Sequence, residues 1–146
     1  MKVLVLTAFY PIPNGTHERM FVHVRNLYYK KCGIDVRVLN FNAKNDYEID
    51  GIPVITLEHF KASSQSSHFD VVISHSANVR SHYFFLKKYE NIFDRLIFFF
   101  HGHEVLYLTK DYPEPYPYEK SSKWHRKKED LLLKHQNNSL QLIYNP

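Results

Sequence analysis

The feature that most constrains the fold is the near-continuous apolar run over residues 2–8, KVLVLTA. Its Val and Leu residues lack the strict alternation expected of a strand with one face in water. Such runs are typical of strands buried on both faces, as in parallel sheets covered by helices. The run is too short to cross a membrane, and Pro11 and Pro13 follow it. We therefore interpret it as a first buried strand rather than a signal peptide.

A first helix is predicted over residues 16–32. The preceding stretch YPIPNG, residues 10–15, disfavours regular structure and favours a turn. Gly33 follows the helix as a left-handed C-cap. Apolar side chains recur near the helical period, and we expect them to form the face that packs on the sheet: Met20, Phe21, Val24, Leu27 and Tyr28.

Later segments continue the alternation of strands and helices. A hairpin turning at Asp50-Gly51 is predicted within residues 47–57. The other predicted elements are strands at 34–41, 70–74 and 95–100, a polar loop at 61–67, helices at 80–90 and 119–136, and a short apolar element at 140–144. This order predicts an α/β fold, a parallel sheet with flanking helices and one hairpin, in a single domain over residues 1–146.

Composition and missing motifs exclude several classes of protein. Hydrophobic residues are 44% of the chain and charged residues 23%, which excludes wholesale disorder. One cysteine, Cys32, excludes an internal disulfide framework and a thiolate zinc site. The four glycines form neither G-x-G-x-x-G nor G-x-x-x-x-G-K-[ST], and G-x-S-x-G is absent as well. NAD enzymes, P-loop ATPases and serine hydrolases are therefore disfavoured, and no cofactor is expected in this chain.

Polar, His-rich loops follow three of the predicted strands. Ligands of open α/β sheets bind beyond the carboxyl ends of the strands, so we predict a site where these loops converge. Its candidate residues are Gly15, Thr16, His17 and Glu18 after the first strand, His75, Ser76 and Asn78 after the 70–74 strand, and His101, Gly102, His103 and Glu104 after the 95–100 strand.

Each of these loops has simpler interpretations. Gly15 serves equally as a tight turn or as part of an anion site at a helix N-terminus. A single loop histidine is more often structural than catalytic. His75, His101, His103 and Glu104 together allow a zinc or iron site, although the recognisable zinc-hydrolase spacings are absent.

A basic and aromatic region lies towards the carboxyl end, and the net charge is +4. It is either a solvated helix face or a surface that binds anionic lipid headgroups. No nucleic-acid recognition motif accompanies the charge, so no nucleic-acid partner is expected. The residues assigned to a membrane surface are Lys123, Trp124, Arg126, Lys127 and Lys128.

Several motifs in order resemble the amino-terminal domain of GT-B glycosyltransferases, and more narrowly the retaining family 4, or "group 1"-like, enzymes. They are V-L-V-L-T-x-x-Y-P from residue 3, Gly15-x-x-Glu18-Arg19, Gly33-Ile34-Asp35-Val36, D-V-V-I-S-H from residue 70 and the FFFHG that contains His101. The resemblance covers roughly residues 1–104. It implies a Rossmann-like sheet that forms half of a GT-B enzyme.

The resemblance implies that this domain binds a saccharide or lipid-linked acceptor in surface polysaccharide or glycolipid assembly. A carboxyl-terminal domain would bind the nucleotide-sugar donor. Gly15 and Thr16 would approach the donor diphosphate, although relatives often have two adjacent glycines there and Thr16 departs from that pattern. His101 would lie beside the transferred sugar in an electrostatic, positioning role rather than as base or nucleophile.

The donor-binding domain and its motifs are missing from the 146 residues. We expect a fragment of a two-domain enzyme, inactive alone, located in the cytoplasm with the inner membrane face as a peripheral docking place. Two other hypotheses remain open. One is a non-catalytic interaction module, or a split-enzyme subunit that pairs with a separate donor-binding chain. The other is a His-rich metal-dependent hydrolase.

Overall fold

The computed structural model describes residues 1–15, 17–63, 68–75 and 80–101. A six-stranded sheet forms its centre, in the spatial order β3-β4-β2-β1-β5-β6. All neighbouring strands are parallel except β3 and β4, which form the predicted hairpin. The α/β prediction is confirmed, with a sheet that is mixed at one edge. The strands are β1 (Lys2–Thr7), β2 (Asp35–Asn40), β3 (Tyr47–Ile49), β4 (Ile52–Ile55), β5 (Phe69–His75) and β6 (Phe93–Phe99).

Three helices cover the sheet within the described residues: α1 (Met20–Lys31), α2 (Leu57–Ser63) and α3 (Arg80–Lys88). A single 3₁₀ turn, Glu90–Ile92, follows α3. The prediction of a loop beginning at residue 61 is wrong, because α2 continues to Ser63. Residues 64–67 and the elements predicted at 119–136 and 140–144 lie outside the described part of the chain.

The first helix starts four residues later than predicted, at Met20 rather than at residue 16. Arg19 precedes it in a left-handed conformation, with φ of 59°, which a regular helix cannot include. Its end agrees with the prediction. Gly33 has φ of 76°, and the N–H groups of Gly33 and Ile34 donate to the carbonyls of Lys30 and Tyr29. That pair of bonds is a Schellman motif.

Strand β1 is buried on both faces, as its sequence predicts. Val3 and Val5 pack on the side covered by α1, where Val22 belongs to the same cluster. Leu4 and Leu6 pack on the opposite side with Phe60 of α2 and Phe85 of α3. The chain runs from β1 towards β2 under α1, then returns past β1 to β5 and β6 under α2 and α3. The direction of the sheet therefore reverses beside β1, and the carboxyl ends of β1 and β5 flank the crevice created there.

The predicted apolar face of α1 is only partly correct: Leu27 packs against the core, whereas other predicted members face away from it. Val24 is 58% exposed and Tyr28 65% exposed, whereas Val22, His23 and Asn26 are buried. The helix is rotated from its hydrophobic pattern so that two polar side chains face inward. None of the helices in the described ranges is long and apolar enough to cross a membrane.

A chain of buried hydrogen bonds accounts for this rotation. The Tyr10 hydroxyl lies 2.8 Å from Nδ1 of His23, and Nδ2 of Asn26 donates to the same hydroxyl at 3.1 Å. Nε2 of His23 lies 2.9 Å from the Asp50 carboxylate. A carboxylate can only accept, so Nε2 of His23 carries a hydrogen and donates it to Asp50. The network ties the chain leaving β1 to both α1 and the hairpin.

The hairpin turn receives a second connection from α1. Asp50 and Gly51 both have positive φ, 50° and 70°, as a two-residue type I′ turn requires. Nζ of Lys30 donates to the carbonyl of Asp50 at 3.1 Å and to that of Gly51 at 2.8 Å. These bonds fix the end of the hairpin against the helix.

We predict that Tyr10→Phe lowers the free energy of unfolding by about 1–3 kcal/mol, because it leaves buried polar groups of His23 and Asn26 without a partner. Tyr28→Phe removes the same hydroxyl from an exposed site and should change stability by less than about 0.5 kcal/mol. Urea unfolding followed by circular dichroism measures both. Equal effects of the two variants would show that the network contributes nothing to stability.

Because β1 is buried, we predict that truncating one of its valines destabilises the fold more than truncating an exposed valine of α1. Val5→Ala should destabilise the fold by about 2–3 kcal/mol, through lost burial of two methyl groups and the cavity that remains. Val24→Ala on α1 should cost less than about 0.5 kcal/mol because that side chain is mostly in water. Thermal and urea denaturation test the pair, and a comparable loss in Val24→Ala would contradict the helix orientation described above.

Candidate active site

Two of the predicted site histidines meet at the carboxyl edge of the sheet. His75 is the last residue of β5, and His101 lies just beyond the end of β6. Nδ1 of His75 is 3.0 Å from Nε2 of His101, so one ring donates a hydrogen bond to the other. The two rings lie edge to edge in nearly the same plane, with 5.2 Å between their centroids and an 8° angle between their planes. The structure thus confirms that the ends of these two strands converge.

His75 is the buried member of the pair, with 2% of its surface exposed. It lies between the rings of Phe99, 5.0 Å away, and His101. Burial, with smaller contributions from the nearby His101, Arg25 and Arg19, lowers the pKa of His75 to about 3. The ring is therefore neutral near pH 7 and a weak base. Its role is to hold the half-buried ring of His101 in one orientation.

Two arginines that the sequence analysis assigned no role make this edge positive. The guanidinium of Arg25 lies over Phe99, 4.1 Å from the ring centroid, and its Nη1 is buried without a hydrogen-bond partner. The Arg19 guanidinium lies 5.8 Å from the ring of Phe21, which packs edge-on against His101 at 5.0 Å. Neither arginine forms an ion pair within the described residues. Such an edge favours an oxygen-rich or anionic group.

The sequence gives some indication that these residues lie close to the site. Phe21 and Arg25 are four positions apart on α1, so they lie on one helix face. Arg19 stands next to the predicted site residue Glu18. The hydrophobic pattern does not predict the rotation of α1 that turns this helix face towards β6.

The remaining predicted site residues divide into two groups. Gly15, His17 and Glu18 are exposed on the loop before α1. Gly15 closes a turn by donating to the carbonyl of Ile12 at 3.0 Å, with left-handed Asn14 inside the turn. The other predicted residues lie outside the described ranges: Thr16, Ser76, Asn78, Gly102, His103 and Glu104, and the basic set Lys123, Trp124, Arg126, Lys127 and Lys128.

A metal centre receives no support from the part of the chain that is described. No group of three or more His, Cys, Asp or Glu side chains there is arranged to hold a metal ion. Of the residues that suggested one, His75 and His101 are bonded to each other, and His103 and Glu104 are outside the described ranges.

A second buried histidine lies under the same edge. Nδ1 of His82 on α3 is 2.9 Å from the hydroxyl of Ser74, and its ring packs on Phe41 at 4.7 Å. Burial lowers the pKa of His82 to about 3, with smaller contributions from His75 and Arg19. Nε2 of His82 has no hydrogen-bond partner among the described residues. The pair links α3 to β5 just before His75.

These two histidines predict a fold that weakens in acid. Their folded pKa values, about 3, lie below the ordinary 6.5, so the unfolded chain binds more protons between those values. The free energy of unfolding is highest above about pH 6.5 and decreases as the pH falls below that value. At pH 5 we expect a loss of about 1–2 kcal/mol for each histidine relative to pH 8.

Urea unfolding of the chain and of His82→Gln between pH 5 and 8 measures this effect. The variant should lose roughly half of the pH dependence, while His17→Gln, at an exposed position, should keep all of it. An unchanged slope in His82→Gln would show that this ring does not remain neutral in the fold.

Comparison of the chain with protein-family models, with curated proteins and with solved structures found no significant match.

Proposed function

We propose that this chain is the acceptor-binding, amino-terminal half of a GT-B glycosyltransferase similar to family 4. In this proposal it holds a saccharide or lipid-linked acceptor in surface polysaccharide or glycolipid assembly. The observation that carries the proposal is the His75–His101 pair at the carboxyl edge of the sheet, flanked by Arg19 and Arg25. The motifs resembling this family place a histidine at that position, and the geometry there suits a hydrogen-bonding and electrostatic role.

The sheet supports the same proposal. Five strands, in the order β4-β2-β1-β5-β6, are parallel, and their direction of progression reverses next to β1. A Rossmann-like half-enzyme has this arrangement, with its ligand crevice at the point of reversal. The chain that leaves β1 and the histidine pair follow the strand ends that flank that crevice.

The proposed role of His101 follows from its surroundings. His75 fixes its ring, and Phe21 packs against the other side. A ring held in this way can donate or accept a hydrogen bond at a sugar hydroxyl or a developing charge without reorganising. Arg19 and Arg25 would add positive potential where the diphosphate of a nucleotide-sugar approaches from a second domain. Because that second domain supplies the donor site, we expect no turnover by the 146 residues alone.

An exposed apolar strip on α1 favours a closely related alternative, a split-enzyme subunit or interaction module that pairs with a separate donor-binding chain. Phe21, Val24 and Tyr28 are each about half or more exposed. A separate chain would be detected by co-purification with the product of a neighbouring gene. The two versions share the same acceptor site and differ in whether the donor-binding part is on the same polypeptide.

Saccharide binding by the isolated chain is the direct test. Saturation-transfer difference NMR with a panel of oligosaccharides and short-chain lipid-linked sugars should show binding, while nucleotide-sugars incubated with the chain alone should remain unconsumed. Transfer or nucleotide release by the chain alone would contradict the half-enzyme proposal. Absence of binding across the panel would contradict acceptor binding.

When the donor-binding part is supplied, on the same or a separate chain, we predict that transfer depends on His101. His101→Ala should lower kcat by about 10²-fold, the usual size of a lost preorganised donor. His68→Ala is the matched control, since His68 lies at the amino end of β5 and is exposed. Equal activity of the two variants would remove His101 from the site.

A further inference from the structure

A cavity of about 470 Å³ opens at the carboxyl edge, between the chain that leaves β1 and the chain that leaves β2. We propose that this cavity binds a neutral saccharide as the acceptor. This inference rests on the proposed function and adds the class of sugar and the place where it binds. The volume is within the range of small-molecule sites, roughly 300–1,000 Å³.

One wall of the cavity is apolar and partly open. Phe9 is 47% exposed and Ile12 is 48% exposed, and both line the cavity. Tyr10 and Tyr47 line its inner part. The Tyr47 hydroxyl lies 3.5 Å from both the Tyr10 carbonyl and the Asn40 amide, which connects the two walls. An exposed aromatic ring beside a cavity is a suitable surface for the C–H face of a pyranose.

The opposite wall carries two asparagine side chains whose amides are available for hydrogen bonds to a ligand. Asn42 and Asn45 line the cavity, and neither side chain has a hydrogen-bond partner within the described residues. The backbone N–H of Asn42 donates to Oδ1 of Asn40 at 3.1 Å, so the segment itself is held in place. An amide carries both donors and an acceptor, which matches the hydroxyl groups of a sugar.

The charges around the cavity disfavour an anionic ligand. Its ionised side chains are one cation, Lys44, and two carboxylates, Glu18 and Asp46. The Asp46 carboxylate accepts from the Thr56 N–H at 2.7 Å and pairs with His59, and it adds negative potential to this wall. The positive side chains of this edge, Arg19 and Arg25, lie by the histidine pair instead.

The cavity and the histidine pair share one edge. Asn40, in the cavity wall, is aligned with Thr7 at the end of β1, and the histidine pair follows β5 and β6 on the other side of β1. The loop before α1 joins them, since Glu18 lines the cavity and its neighbour Arg19 acts electrostatically on His75. A sugar in the cavity is therefore on the correct side of the sheet to reach the crevice.

The test measures the affinity of three probes by titration calorimetry and ligand-observed NMR: a neutral hexose disaccharide, the matching uronic-acid disaccharide and a short alkyl glycol without a sugar. The neutral disaccharide should bind best. The double variant Asn42→Ala/Asn45→Ala should weaken it by about tenfold, as expected for two uncharged hydrogen bonds, and Phe9→Ala by about three- to tenfold.

Matched controls are available at exposed positions away from the cavity. Asn91→Ala and Phe84→Ala remove the same side-chain types and should change the affinity by less than about twofold. Melting temperatures establish that every variant is folded. Backbone amide shifts of the unmodified chain give a second measurement, with the largest shifts expected in residues 9–12 and 40–47.

The outcomes separate this inference from the proposed function. Neutral sugar that binds with shifts elsewhere, or with full affinity in the cavity variants, overturns the cavity assignment and leaves acceptor binding intact. Tighter binding of the uronic-acid disaccharide would contradict a preference for neutral sugars. Tighter binding of the alkyl glycol would contradict a saccharide ligand in the cavity. Failure of every saccharide in the panel to bind overturns the proposed function itself.

Discussion

The buried hydrogen-bond chain from Asn26 through Tyr10 and His23 to Asp50 determines how the rest of the structure is arranged. It requires α1 to turn polar side chains towards the sheet, at the expense of exposing Val24 and Tyr28. That rotation brings Arg25 over Phe99 and Phe21 against His101. Buried hydrogen bonds between specific side chains favour one orientation where apolar packing alone would accept several. The candidate site is therefore a consequence of contacts made on the far side of the helix.

The carboxyl edge is divided into two chemical environments by the chain that leaves β1. On the β5 and β6 side, the hydrogen-bonded pair of His75 and His101 lies beside two guanidinium groups that form no ion pair within the described residues. This environment suits an anionic or charge-developing group. On the β2 side, amides and aromatic rings surround a cavity whose charges are mixed. A transferase that joins an uncharged acceptor to an activated, diphosphate-bearing donor needs both environments next to each other. This complementarity links the two proposals.

Much of the sheet could be predicted from the sequence, because runs such as residues 2–8 and 70–74 bury apolar side chains locally. Helix α2 could not, since it buries only Phe60 and so lacks a periodic signal. The orientation of α1 depends on partners 13 to 27 residues away from His23, which hydropathy does not register. Strand order alone predicts the placement of His75 and His101 at the site, whereas the placement of Arg19 and Arg25 depends on the orientation of α1 in the folded protein. The glycosyltransferase resemblance remains a proposal.

Intermolecular NOEs between a bound saccharide and the chain test the central claim most directly. We predict NOEs from sugar protons to the ring of Phe9 and to side chains of the loop after β2, at the carboxyl edge. A smaller pocket lies at the opposite edge of the sheet, lined by Lys2, Asp35, Arg37, His68 and Phe69. NOEs confined to that amino edge, or a complete lack of NOEs under saturating saccharide, would contradict an acceptor site beyond the carboxyl ends of the strands.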